Sequence, residues 1–278
     1  MVRVLVLGAT GYIGLPLCQS LRRDGHTVYG LARSAEKCRS LAKLEIIPAP
    51  GTLEGGEYIA IVEKTNIDIV IDIASVGPAS YDVLDALRTI SEKRIQQRGK
   101  HASKLGFVHV SGTWVHGSSM APVDDLSPIA IPHDEGCSAQ PPDLLAWRPA
   151  VEQAVLDTRD ALDSVIIRPA LVYGGRSKLW SFWFSPIDRA AAASEKEVHL
   201  LADVAAQPGI VHVDDVVSAI HLTVAKFGMV STASGNYPVF DVVSSSEPLK
   251  YIFDGAAQSL RFQGRLMYDG APAGISLR

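Results

Sequence analysis

Apolar residues along the chain fall into two alternating patterns. Short β-branched and aliphatic runs occur near residues 2–7, 27–32, 44–47, 67–73, 107–111 and 164–168, and most are followed by stretches with apolar positions three or four apart. The runs predict strands and the wider spacing predicts helices. Val2, Val4, Leu5, Val6 and Leu7 make a run with no polar face, as expected of a central parallel strand buried on both sides. Ile13, Leu17 and Leu21 then mark one face of a helix. Further helices are expected over 36–43, 59–64 and 81–101, the last with Leu84, Leu87 and Ile90 aligned. Another begins near Leu144, one runs up to Lys226, a late strand covers 235–243, and a last helix covers 248–260. Residues 265–278 show no clear period. Strand and helix in alternation predict an α/β fold with a doubly wound parallel sheet.

The turn between the first strand and helix reads Gly8-Ala9-Thr10-Gly11-Tyr12-Ile13-Gly14. Gly8 permits the tight exit from the strand, Gly11 lets backbone approach a pyrophosphate, and Gly14 lets the helix pack on the strand. The helix N-terminus offers free N–H groups and the positive end of its dipole. With a second strand following within about thirty residues, the context predicts a dinucleotide site on Gly8, Thr10, Gly11, Tyr12, Ile13 and Gly14.

The Gly-x-x-Gly-x-x-Gly spacing resembles the extended and atypical short-chain dehydrogenase/reductase families, of the NAD-dependent epimerase/dehydratase kind. Arg168-Pro169-Ala170-Leu171-Val172-Tyr173-Gly174 resembles their Arg-Pro-x-x-Val-Tyr-Gly run, and Val213-Asp214-Asp215-Val216 resembles the cap of their last long helix. The resemblance spans residues 1–240. It implies a Rossmann-type sheet over 1–175 that binds NAD(P), with a small substrate-binding part over 176–278 interleaved with that core. Asp214 or Asp215 is expected to cap its helix. Asp72-Ile73-Ala74-Ser75 matches the family's fourth strand ending, which places Ala74 beside the cofactor and leaves Asp72 as a strand-end residue. Ser111 and Pro169 are implied cofactor neighbours as well. The family's Gly-Asp pair after the third strand is replaced by Gly51-Thr52.

Arg33 follows the second strand, where such proteins choose between cofactors. An acid there would bind the ribose 2′-hydroxyl of NAD, whereas an arginine pairs with the 2′-phosphate of NADP. Arg33 and Ser34 therefore predict NADP(H) ahead of NAD(H), the other reading being a solvated loop arginine.

Ser111-Gly112-Thr113-Trp114-Val115-His116-Gly117 resembles the family's Ser-Ser-x-x-Val-Tyr-Gly strand ending. The resemblance places the usual catalytic hydroxyl at Gly112, flanked by Ser111 and Thr113, with His116 in place of tyrosine. The expected Tyr-x-x-x-Lys is absent. No tyrosine occurs between Gly117 and Val172, and no lysine between Lys104 and Lys178. If Trp147 holds the tyrosine's place, Val151 holds the lysine's. An indole N–H donates a hydrogen bond but relays no proton at neutral pH. The candidates for the chemistry are Ser111, Thr113, His116 and Trp147, and only His116 has an unperturbed pKa suited to proton transfer near pH 7. Arg148 and Glu152, four apart on a helix, either pair with each other or serve the site.

Residues 179–184, Leu-Trp-Ser-Phe-Trp-Phe, are the most aromatic stretch. They either form core or line an apolar pocket, giving Trp180 and Trp183, with Trp114, Arg148 and Tyr173, as candidate substrate contacts. The proline-rich acidic segment 118–142 reads as a long loop over the site, with His133 solvated beside Asp134 and Glu135.

The chain has 278 residues, 47% of them hydrophobic and 20% charged, so a substantial core is available. A net charge of −4 gives no reason to expect nucleic acid or an anionic membrane as partner. No apolar run reaches membrane-helix length, and the dinucleotide strand at the start leaves no signal peptide to expect. Cys18, Cys38 and Cys137 lack ligand spacing, so no metal is expected and the setting reads as cytoplasmic. The resemblance adds a homodimer as a known arrangement of relatives.

Three functions follow from the residues. The first is an NADP(H)-dependent oxidoreductase acting on a small, largely apolar carbonyl or enone. The second is an isomerase, epimerase or cyclase that keeps its nucleotide without net redox change. The third is a non-catalytic NAD(P) sensor.

Overall fold

The structure, a computed structural model, describes residues 1–99, 103–119, 122–127, 129, 140–232 and 237–270. His133, Asp134, Glu135 and Cys137 lie outside the described residues.

The first half of the chain alternates β1 (Arg3–Leu7), α1 (Gly14–Arg23), β2 (Thr27–Ala32), α2 (Ala35–Lys43), β3 (Ile47–Pro50), α3 (Glu57–Lys64), β4 (Ile69–Asp72), α4 (Pro78–Arg98) and β5 (Leu105–Val110). A 3₁₀ turn at Thr113–His116 follows, and another at Asp143–Leu145 leads into α5 (Arg148–Asp157). Then come β6 (Leu162–Pro169), β7 (Leu171–Tyr173), α6 (Lys178–Ala192), β8 (Glu197–Leu200), β9 (Gly209–His212), α7 (Val213–Ala225) and α8 (Phe227–Val230). The last elements are β10 (Val239–Val242), β11 (Ser245–Ser246), α9 (Leu249–Ser259) and β12 (Arg265–Tyr268).

Among the described residues, seven strands form a sheet in the order β10-β6-β5-β4-β1-β2-β3. Its inner ladders are parallel, with Val4 opposite Val28 on one side and Ile69 on the other. Val4, Leu5, Val6 and Leu7 are fully buried, as a strand covered on both faces requires. The chain leaves β1 toward β2 and β3, then crosses back to β4 on the other side of β1. That reversal makes the carboxyl ends of β1 and β4 a topological switch point, where ligands of such sheets bind.

The contacts divide the chain into two compact units. One comprises Met1–Ser111, Trp147–Arg168 and Asp214–Phe240, and the other Gly112–Ala146, Pro169–Val213 and Asp241–Arg278. The second unit therefore takes residues on both sides of position 175, including the 3₁₀ turn that the sequence assigns to the first domain. Within the first unit, Leu5, Leu7, Val70, Leu84, Leu87, Phe107 and Ile166 share one core. In the second, α6 and α9 enclose Trp180, Trp183, Phe253 and Phe262 beside the pair β12-β8 and the sheet β11-β9-β7.

Several element bounds depart from expectation. β3 begins at Ile47, three residues later than the predicted start at Leu44, because Leu44 is the C-cap of α2 and Glu45 turns the chain at φ 59°. Its neighbour Ile46 is apolar because it is buried, not because it is strand. α7 begins at Val213, so Asp214 and Asp215 stand in its first turn, where an acid suits the helix dipole, not at the capping position. β12, in the stretch with no clear period, pairs with β8 in parallel.

Candidate functional site

In the first unit, β1 delivers the chain into the glycine turn. Gly8 sits at φ 93°, a conformation that L side chains resist. The Gly11 N–H donates to the Gly8 carbonyl at 2.9 Å, closing the turn. A Cβ on Gly14 would overlap that same carbonyl oxygen, so α1 can sit this close to β1 only with glycine there. No side chain caps the N-terminus of α1, and no acid stands in its first turn. The N–H groups and positive dipole end are left for an anion.

This turn faces a cavity of about 530 Å³. Gly8, Thr10, Gly11, Tyr12, Ile13, Gly14, Arg33 and Ala74 all lie in its wall, as do Leu31, Leu53 and Glu54. Arg33, just past the end of β2, is exposed and has no hydrogen-bond or ion-pair partner among the described residues. Gly51 and Thr52, which stand where the family's Gly-Asp pair lies, belong to the same wall, and so do Leu53 and Glu54, which sequence reasoning did not name. Ser34 does not line the cavity. Its Oγ accepts the Lys37 N–H at 3.2 Å and caps α2. The residues fit a dinucleotide: a turn with glycine at positions 8, 11 and 14, an uncapped helix end, and an uncommitted cation.

Asp72 explains how Ala74 is held in that wall. Its buried carboxylate accepts the Ala74 and Ser75 N–H groups at 3.0 Å each and the Ser75 hydroxyl. His109 Nδ1 stands 3.7 Å away, an ion-pair distance and not a hydrogen bond. Burial pushes the Asp72 pKa up, but His109 and Ser75 more than offset it, and the group lies below the ordinary carboxylate value. Asp72 braces the strand end.

Ser111 follows β5, its N–H donating to Ile167 at 2.8 Å and its buried Oγ without a hydrogen-bond partner. Trp147 is half-buried against the core of the first unit, and the Arg148 guanidinium lies 5.6 Å from its ring centre, a cation–π contact. The Arg148–Glu152 pair, one of the two readings of their spacing, does not form. Glu152 instead takes Arg168 of β6, with Nη2 at 2.6 Å and Nε at 3.0 Å. A two-pronged pair in the interior outcompetes helix spacing. Burial lowers the Arg148 pKa, with the Glu152 charge opposing. Ser111, Trp147, Arg148 and Pro169 line neither this cavity nor the one described next.

The second unit has a cavity of about 470 Å³, with Thr113, Trp114 and His116 of the 3₁₀ turn in its wall. Gln207, Asp241 and Ser246 add polar groups, and Pro122, Val123, Pro208 and Val243 add apolar ones. His116 is only 6% exposed, and its Nε2 lies 2.7 Å from Asp241 Oδ2. The Asp241 N–H donates in turn to Asp125 Oδ1 at 2.8 Å. Sequence reasoning missed both aspartates. Asp241 lies in a predicted strand with no motif around it.

The aromatic stretch resolves as core. Trp180, Trp183 and Ile187 recur on one face of α6 and are buried, whereas Phe182 on another face is exposed. Both indole N–H groups are satisfied internally, Trp180 by Val172 and Trp183 by Leu201. Neither lines either of these two cavities, and both belong to the core of the second unit, the first of the two readings offered for this stretch. Tyr173 is exposed on β7, its ring edge-on to His212 with centres 5.2 Å apart.

The sequence pattern of the NAD dependent epimerase/dehydratase family matches residues 4–232. The chain belongs to that family. A relative within reach of direct comparison is dTDP-6-deoxy-L-talose 4-dehydrogenase (NAD(P)(+)) of Kitasatospora kifunensis, 29% identical over 240 residues, covering 80% of this chain and 70% of the relative. Among solved structures, MoeE5 in complex with UDP-glucose and NAD superposes with a TM-score of 0.69 at 20% identity, covering 99% of this chain and 87% of that one. The UDP-Glc/GlcNAc 4-epimerase of Campylobacter jejuni gives a TM-score of 0.70 at 16% identity, covering 100% and 89%. At those identities the structures show the family's fold. No helix among the described residues is long and apolar enough to cross a membrane.

Proposed function

We propose that the protein is an NADP(H)-dependent oxidoreductase acting on a small, largely apolar molecule with a carbonyl or conjugated enone. The observation that carries this reading is the uncommitted Arg33 in the same cavity wall as the glycine turn. The turn and the N–H groups of α1 hold the pyrophosphate, and Arg33 pairs with a 2′-phosphate. Glu54 shares that wall, so the preference for NADP rests on Arg33 alone. A nicotinamide nucleotide supplies or accepts hydride. Ser111 or Thr113 orients the reacting oxygen, His116 or water supplies the proton, Trp147 contributes a hydrogen bond, and Trp114, Arg148 and Tyr173 are the remaining proposed substrate contacts. The cavity around Thr113 and Trp114 mixes hydroxyl and amide groups with proline and valine, which suits an apolar frame bearing a few oxygens. The dehydrogenase name of the Kitasatospora relative supports redox chemistry.

A second reading keeps the nucleotide but consumes none of it, as an epimerase or isomerase would. Membership of an epimerase/dehydratase family and the missing Tyr-x-x-x-Lys favour it. One experiment separates the two. Purified protein is incubated with NADPH and a panel of ketones, enones and nucleotide sugars while nucleotide absorbance and product are both followed. Product matched by NADPH loss supports the oxidoreductase. Product with no net loss supports the second reading.

A further inference from the structure

We infer that His116 is the acid–base group of the reaction proposed above, working through Nδ1, and that Asp241 is the residue that positions it. This rests on that reading for its chemistry, but its geometry stands alone. An ionised carboxylate only accepts hydrogen bonds, so the 2.7 Å contact puts the neutral ring's proton on Nε2, facing Asp241 Oδ2. Nδ1 is then the lone-pair nitrogen. It is buried and has no hydrogen-bond partner, in a side chain that forms part of the cavity wall. A buried acceptor without a donor calls for a partner, and we assign that partner to a ligand of the cavity.

The arrangement is that of a base oriented from behind by a carboxylate. Asp241 fixes which nitrogen carries the proton and stabilises the ring once it is doubly protonated. The Asp241 backbone is itself fixed, through its N–H, by Asp125. Thr113, at the start of the same 3₁₀ turn, adds a hydroxyl to the same wall. His116 brings an imidazole to that wall, the side chain most often used for general acid–base work.

The ligand class follows: an apolar frame carrying a hydroxyl that donates to Nδ1. In the oxidative direction the O–H proton passes to Nδ1, and the O–H electron pair becomes the second bond of the carbonyl. The hydrogen on carbon would leave with two electrons, an acceptor role that the oxidised nicotinamide nucleotide of the proposed function would supply. Reduction runs the same exchange backward, and the ring recovers its proton from water.

A purely structural role would need only the Nε2 tie to β10. Nitrogen NMR of the whole protein with isotope-labelled histidine distinguishes the two, with His116 assigned by its disappearance in His116→Gln. The expected result is a protonated Nε2 and a bare Nδ1 at mildly alkaline pH. Cyclohexanol should then shift the Nδ1 resonance, and methoxycyclohexane, the same frame without a donor, should not. Asp241→Asn should lose the fixed tautomer and the cyclohexanol response, and Asp241→Glu should restore both. A proton on Nδ1, an equal response to both probes, or an unchanged signal in Asp241→Asn would overturn the inference. NADPH binding on the same samples should be unchanged in His116→Gln. Failure of the wild-type protein to bind NADPH would refute the nucleotide reading separately, whatever the ring reports.

Discussion

Arg168 donates through both Nη2 and Nε to the carboxylate of Glu152, at 2.6 and 3.0 Å, and both side chains are shut away from water. The pair joins β6 to α5. Burial works against the Arg168 charge, but Glu152 outweighs it and holds the guanidinium pKa above its ordinary value. Removing one partner strands the other as a buried charge. Glu152→Ala should therefore lose about 3–5 kcal/mol of stability in urea unfolding, the usual cost of breaking a buried pair. Arg148→Ala should cost far less, because Arg148 has no hydrogen bond or close ion pair with Glu152.

The packing of α1 on β1 leaves no room at Gly14. Gly14→Ala places a methyl group against the Gly8 carbonyl, and relief requires the helix to move away from the strand. Overpacking of this kind costs about 1–3 kcal/mol. Calorimetry should show that loss together with weakened binding of every adenine dinucleotide, reduced or oxidised. A variant as stable as wild type would mean that the turn is looser than described.

Asp72 makes acid stability directional. Its folded pKa lies below the ordinary value despite burial, because His109 and Ser75 favour the charged form. A carboxyl depressed on folding contributes stability above its unfolded pKa of about 3.9, and that contribution is lost as pH falls through the folded value. Asp72→Asn should be less stable than wild type at neutral pH. The gap should narrow below about pH 4. Urea unfolding across that range reads the difference directly.

How much of this was legible in the sequence depends on the range of the interaction. The glycine turn was legible because its constraint is local: three glycines, a buried strand before them and a helix after. Arg33 and Ala74, both in the cavity wall, were named because they flank strand ends. Leu44 and Ile46 misled because helix ends and strands use the same apolar residues. In β8, Val198 and Leu200 point inward between exposed Glu197 and His199, but four residues give too short an alternation to stand out. The pairing of Glu152 with Arg168 could not be read from spacing, because a helix position four away looks closer than a strand sixteen residues on. His116 was singled out by its position in a motif, but Asp241 comes from 125 residues later in the chain and leaves no local trace. Trp180 and Trp183 admitted both a core and a pocket, and only the three-dimensional packing decides between them.

The account stands or falls with a nucleotide in the cradle between Gly8 and Arg33. Isothermal titration of the purified protein with NADPH and then NADH tests it directly. The account predicts saturable binding of one nucleotide per chain, at least about tenfold tighter for NADPH, a difference of roughly 1.4 kcal/mol. Arg33→Ala should erase the difference while leaving NADH binding in place. Equal affinity for the two nucleotides would remove the role given to Arg33, and no binding of either would contradict the whole account.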